Sequence, residues 1–266
     1  MTSPKRAGRY RRLEVAVAQV QRRWGPRALR LVSQTTPPPS ALPTGFVSLD
    51  AVTGIGGFPR GRISELLGPS TSGKTSLALI ALAHAQRCGG IGAYFDLVRA
   101  LDPDYARRCG IDLHRLLIVH PPNMAEALAI AASLARRRGL QLIVFDTNPA
   151  SWPVADAGPV RGLAPGLRLL SATLASTPCV ALFLTTNDSA QPDYPGQLPL
   201  PAYATLRLSV VHERWIQWPW EDVTGYVAVV AVIKNKLGAP GRRATITITF
   251  NDAVRGHGQA GDGGQR

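Results

Sequence analysis

The sequence predicts an α/β fold: a mainly parallel sheet with helices on both faces and extra antiparallel strands near the C-terminus. Three observations lead there. Strand-like and helix-like apolar segments alternate from Ile63 to Leu184, a glycine-bearing loop at Gly68–Thr75 joins the first strand to its helix, and three β-rich stretches follow. Strand and helix in strict turn imply crossover connections, and hence parallel strands covered on both faces.

Residues 1–33 read as a basic arm and an N-terminal helix. Nine basic side chains stand against the single acid Glu14 within residues 1–30, and residues 1–12 are expected to be a disordered arm. From Leu13 the apolar residues Leu13, Val17, Val20 and Trp24 recur at helical spacing, which predicts an amphipathic helix over 13–24. Residues 34–43 contain Pro37-Pro38-Pro39 and read as an extended linker, because proline lacks an amide donor and disfavours helix before it.

The core is expected over 44–252. Its predicted elements are strand Ile63–Leu67, helix Lys74–Cys88, strand Ile91–Phe95, a helix near Pro103–Cys109, strand Leu116–Val119, helix Met124–Arg138 and strand Leu142–Phe145. A helix near Gly166–Ser176 and strand Val180–Leu184 come next. The β-rich stretches Thr205–His212, Tyr226–Ile233 and Ala244–Phe250 then extend the sheet, by expectation in antiparallel fashion. Residues 253–266 are Gly-rich and are expected to be a disordered tail.

At 266 residues and 45% hydrophobic content the chain can bury a substantial core. No apolar run approaches the roughly 18 residues of a membrane span, and the Arg-rich N-terminus has no following apolar stretch, so a cytoplasmic protein is expected. Cys88, Cys109 and Cys179 lack metal or disulfide spacing and read as buried thiols. The formal charge of +13, concentrated at the N-terminus, suits either a polyanionic partner such as DNA or RNA, or a solvated tail.

The segment Gly68-Pro69-Ser70-Thr71-Ser72-Gly73-Lys74-Thr75 follows a strand and opens a helix, the context that a phosphate-binding loop requires. Glycines let the loop curl so that its amides face phosphate oxygens, and the helix N-terminus adds positive potential. Lys74 would reach the outer phosphates of a nucleoside triphosphate, ATP above all, and the Thr75 hydroxyl would ligate Mg2+. Asp146, which ends the apolar run Leu142–Phe145, is the candidate carboxylate for the magnesium shell. Of thirty basic residues only Lys5, Lys74, Lys234 and Lys236 are lysine. A chain that otherwise prefers arginine has reason to keep lysine where a compact ammonium suits a crowded phosphate site, so Lys234 and Lys236 are read as functional.

The stretches Thr44–Asp50, Gly56–Ile63, Gly68–Thr75, Ala100–Arg107, Phe145-Asp146 and Ile233–Pro240 together resemble bacterial RecA recombinases, from about Leu13 to Phe250. The resemblance covers the core domain only. It implies a RecA-like ATP-binding core in DNA repair, recombination and the DNA damage (SOS) response. Asp102 and Tyr105 would hold the adenine, Lys234 and Lys236 would reach the nucleotide of an adjacent subunit, and helix 13–24 would dock on that neighbour in a filament on single-stranded DNA.

Departures from the family pattern redirect the expectation. Val98 stands where the family carries its general-base glutamate, and Thr186, followed by Asn187, stands where a glutamine senses the terminal phosphate. The two DNA-binding loops, between Pro153 and Pro165 and between Asp188 and Ala202, are short and proline-rich. Three readings follow: an ATP-binding paralogue with weak or absent hydrolysis, an active DNA-dependent ATPase with Asp96 or Glu126 as substitute base, and a non-enzymatic accessory of a translesion polymerase or full recombinase. DNA contacts would use the basic arm and Arg161, Arg168 and Arg207. Trp215, Trp218 and Trp220 are expected to pack a hairpin, with base stacking or partner anchoring as the alternative.

Overall fold

The computed structural model describes residues 4–25, 40–137, 139–147, 163–186, 200–217, 223–250 and 254–260. Met1–Pro39 and Ser40–Arg266 form two separate compact units. The first holds helix α1 (Pro4–Trp24), which begins nine residues before the expected start. Most of the arm expected to be disordered is therefore helical. A proline at the first helical position and good helix formers after it explain the earlier start. Arg22 and Arg23 occupy the last turn, where the helix dipole favours cations, and the Arg23 guanidinium lies 5.5 Å from the Trp24 ring centroid. Leu13 and Trp24 of the apolar stripe are exposed.

The second unit is the α/β body. Strands β1 (Ala41–Leu42) and β2 (Phe58–Pro59) pair antiparallel around α2 (Val47–Thr53), so the expected linker 34–43 ends in a strand with Leu42 fully buried. The chain then runs β3 (Ile63–Gly68), α3 (Lys74–Arg87), β4 (Ile91–Asp96), α4 (Pro103–Arg108), a 3-10 turn (Leu113–Arg115) and β5 (Leu116–Val119). It continues α5 (Met124–Arg136), β6 (Leu140–Asp146), α6 (Leu163–Leu174), β7 (Val180–Thr186), α7 (Leu200–Tyr203), β8 (Leu206–Gln217), β9 (Val223–Asn235), β10 (Arg243–Thr249) and β11 (Arg255–Ala260).

These strands form a nine-stranded sheet in the order β11-β10-β9-β8-β3-β7-β6-β4-β5. Six strands, from β8 to β5, run parallel, and β9, β10 and β11 continue antiparallel. The expectation placed all three late stretches in the antiparallel part. The first of them, β8, instead pairs parallel with β3, and the reversal begins at the β8–β9 hairpin. A second difference lies in the Gly-rich tail. Arg255–Ala260 pairs with Ala244–Thr249 of β10, since ladder hydrogen bonds need backbone and an open edge, not apolar side chains.

Alternation along the strands builds two cores. Leu66, Tyr94, Val144, Leu184 and Val210 face α2 and α3, while Ile63, Ala93, Ile143 and Ala181 face α5 and α6. On the second face Phe95, Phe145 and Phe183 lie in register on adjacent strands, with ring centroids 4.8 and 4.3 Å apart. Cys109 and Cys179 are buried, and burial pushes both thiols up to about 12, which leaves them unreactive. Cys88 differs from the expectation: it caps the end of α3 and is exposed.

Candidate functional site

Gly68 ends β3 and Gly73 caps α3, so the loop between them leaves the sheet centre and enters a helix N-terminus within a few residues. Two residues take the left-handed conformation that the curl demands: Gly73 at φ 94° and Thr71 at φ 63°. A β-branched residue is strained there, and such strain concentrates where a loop is shaped for a ligand. The Lys74 side chain is almost fully buried and its ammonium donates to the Gly68 and Pro69 carbonyls at 2.6 Å each, and to Ser72 Oγ at 3.3 Å. Thr75 is exposed in the first turn of α3, where its hydroxyl is open to a cation.

Asp146 ends β6, and the parallel register β4–β6 sets it beside Asp96. Tyr94, fully buried on β4, donates its hydroxyl to Asp146 Oδ2 at 2.6 Å. Burial pushes the Asp146 carboxyl up. The Tyr94 hydrogen bond and Lys74 oppose that rise, and Asp96 adds to it. Tyr94 is held protonated far above its ordinary range, first by burial and then by the carboxylate it serves. One oxygen of Asp146 is thus fixed, and the carboxylate is held in a single orientation.

Among the described residues no cluster of three or more His, Cys, Asp or Glu could hold a metal alone. Thr75 and Asp146 supply hard oxygen donors of the kind Mg2+ takes when phosphates and water complete its shell, so the residues fit that ion. With Tyr94→Phe, a half-buried carboxylate loses its donor. Stability should fall by about 1–2 kcal/mol, read as a lower urea midpoint. An unchanged midpoint would argue against the orienting role.

The Gly68–Thr75 loop forms one wall of a cavity of about 280 Å3 lined by Thr71–Ser76, Tyr105, Trp215, Tyr226 and Phe250. Tyr105 reaches it from α4, with its hydroxyl 2.6 Å from Ser76 Oγ. Asp102 does not line it; that carboxylate caps α4 by accepting from the Asp104 amide at 2.8 Å. Tyr226 is the lining residue that the sequence does not single out, while Trp215 is one of the tryptophans expected to pack a hairpin, with base stacking or partner anchoring as the alternative. An added Cβ on Gly73 would lie 2.4 Å from the Tyr226 hydroxyl, so β9 presses directly on the loop.

Val98 sits half-buried in the loop after β4. Asp96, one proposed substitute base, accepts from the Ala100 and Leu101 amides at 3.1 Å each, one to each oxygen, and so holds that loop closed. Glu126, the other, is exposed at the start of α5 and shares hydrogen bonds with the capping Asn123. Neither carboxylate lines the cavity.

Lys234 and Lys236 lie away from this chain's own phosphate loop. Their ammonium groups donate to carbonyls of α7, Lys234 to Pro201 and Lys236 to Ala202 at 3.4 Å. Between them Asn235 ties the end of β9 to the Thr53 carbonyl at 2.8 Å. Arg207 was expected as a DNA contact, but its guanidinium pairs with Glu65, which is buried in β3 and also accepts from Thr185 Oγ1 at 2.7 Å. That pairing occupies the arginine within the sheet. Arg168 is exposed on α6. Arg161, Asn187, Trp218, Trp220 and most of the two expected DNA-binding loops lie outside the described residues.

Comparison with known proteins agrees with this architecture. The family described as RecA N-terminal domain matches residues 11–255. Protein RecA of Leifsonia xyli subsp. xyli is 36% identical over 98% of this chain and 78% of its own length. Protein RecA of Nocardia farcinica is 34% identical over 98% of this chain and 80% of its own length. A crystal structure of the RadB recombinase superposes with a TM-score of 0.62 at 21% identity, covering 80% of this chain and 98% of that one, which shows a shared fold. The identity over nearly the whole chain and the family match spanning both the loop and the sheet lead to one conclusion: this chain belongs to the RecA family.

Proposed function

We propose that this chain is a RecA-family protein that binds ATP with Mg2+ and acts in DNA recombination and repair while hydrolysing ATP weakly or not at all. Membership of the family supports the role in recombination and repair. One contrast carries the finer reading: the binding half of the site is complete and the hydrolytic half is not. Gly68–Thr75, Lys74 and the Tyr94-oriented Asp146 form a phosphate and magnesium cradle. Val98 occupies the place of the family's general base, and the nearest alternative, Asp96, spends both oxygens on backbone amides. Loss of a positioned base costs roughly two to four orders of magnitude in rate.

Single-stranded DNA is the proposed polyanionic partner, engaged through the basic N-terminal segment. Self-association, or a mixed filament with another RecA-type protein, would use helix α1, whose exposed Leu13 and Trp24 need a covering surface. In such a filament Lys234 and Lys236 would serve a neighbour's nucleotide, a reading supported by their position on α7 carbonyls away from Gly68–Thr75. An accessory role beside a polymerase or full recombinase is compatible with the same features.

Steady-state ATP turnover, with and without single-stranded DNA, tests the proposal beside a Lys74→Ala control and a direct binding titration. The expected result is saturable ATP binding with turnover close to that of the control under both conditions. DNA-stimulated turnover that Lys74→Ala abolishes would instead establish an active DNA-dependent ATPase.

A further inference from the structure

The aromatic wall of the cavity depends on one irregularity in the sheet. Along the β8–β9 hairpin, His212 pairs with Ala228, Arg214 with Val227 and Trp215 with Tyr226, which leaves Glu213 as an extra residue in β8. Side chains alternate faces along a strand, and residues directly opposite one another share a face. Without the extra residue Arg214 would stand opposite Tyr226, and Trp215 would turn to the other side of the sheet. The bulge re-aims Trp215 onto the face of the phosphate loop.

Four rings meet there, but they are not equally free. Tyr226 is only 4% exposed and is wedged against Gly73. Tyr105 is pinned through Ser76, and Phe250 packs on Tyr226 with centroids 5.7 Å apart. Trp215 rests edge-on against Tyr226 at 5.8 Å and against His212 at 4.5 Å, yet half of its surface is open. It is a large aromatic surface held from behind and bare in front, beside a loop shaped for phosphates.

We infer that Trp215 is a base-stacking residue of this site: the purine of a nucleoside triphosphate seated on Gly68–Thr75 lies against the open part of the Trp215 indole. The inference rests on the ATP-binding reading above and adds a contact to it. Stacking is supplied by β8, whereas the phosphates are held by β3 and α3, so the two halves of the ligand are gripped independently. Every base offers a π-face, and the larger purines gain more from it than pyrimidines do.

The test compares Mg-ATP with Mg-tripolyphosphate, which carries the phosphates and no base, by titration calorimetry. Trp215→Ala should weaken ATP about tenfold or more and leave tripolyphosphate within about a factor of two, while Trp215→Phe should retain most of the ATP affinity. ATP should also change the indole fluorescence of the wild type more than that of Trp215→Phe. Equal ATP affinity in wild type and Trp215→Ala overturns the inference, as does an equal loss of both ligands in Trp215→Ala and Trp215→Phe, which would mark the tryptophan as structural. Wild-type protein that binds neither ligand would sink the ATP-binding reading itself, and this inference with it.

Discussion

Lys74→Ala should lower the affinity for Mg-ATP by two orders of magnitude or more. Lys74 is 8% exposed, so bulk water screens little of its attraction for a polyphosphate, and truncating such a charge in a buried contact costs about 3 kcal/mol, on the order of a hundredfold. The same group holds the Gly68 and Pro69 carbonyls at 2.6 Å, so the variant also loses the tie that curls the loop. Lys74→Arg should not rescue binding. A planar guanidinium is wider than an ammonium, and the space between Gly68, Pro69 and Ser72 is already closed. Calorimetric titration of the three proteins decides the matter. Affinity within a few-fold of wild type in Lys74→Ala would mean that the nucleotide sits elsewhere.

Gly68→Ala should be the most damaging single methyl in the site. An added Cβ would stand 2.1 Å from the Val210 carbonyl oxygen and 2.9 Å from Ser72 Oγ, and the first of these is backbone that no rotamer change can move. Relief requires β8 to part from β3, where Leu67 pairs with Ser209 at the sheet centre. Overpacking of this kind costs about 3 kcal/mol, which in a domain of this size lowers Tm by roughly 6 to 12 °C. Gly139→Ala is the matched control, because nothing lies within 4 Å of its added Cβ and its backbone is not left-handed. A melt that separates the two variants by less than a degree or two would contradict the close approach of β8 to the loop.

What the sequence made legible follows from what is local. The phosphate loop is a contiguous string whose glycines, lysine and threonine each have a stated task, and it needs no tertiary information to be read. The alternation of strand and helix likewise predicted the parallel half of the sheet, with element bounds close to those observed. Asp146 was readable as an apolar strand ending in an acid. Its partner Tyr94 was not, because their contact exists only once β4 and β6 are known to be neighbours in a sheet order that the sequence does not spell out. Arg207 shows the same limit: a surface arginine and one paired with Glu65, five strands earlier in the sequence, look alike in one dimension.

The face on which Trp215 stands was hidden for a different reason. A simple period of two assigns it to the wrong face, and the single extra residue that corrects the assignment has no composition signature in His212-Glu213-Arg214. The expectation that this tryptophan packs a hairpin holds as far as its contacts with His212 and Tyr226 go, and the cavity it borders is a second use of the same ring. The strand Arg255–Ala260 carries no apolar pattern to read, because a free sheet edge recruits backbone.

That edge has a consequence for the solubility of the molecule. β10 carries the run Thr245-Ile246-Thr247-Ile248-Thr249, a flat β-branched ribbon of the sort that pairs with copies of itself when its amides are bare. Arg255–Ala260 pairs with that ribbon along six register positions, so its outward amides meet this chain's own backbone and not that of another copy. The Gly-rich segment acts as a selvedge, a border woven onto the sheet that covers the threonine and isoleucine ribbon.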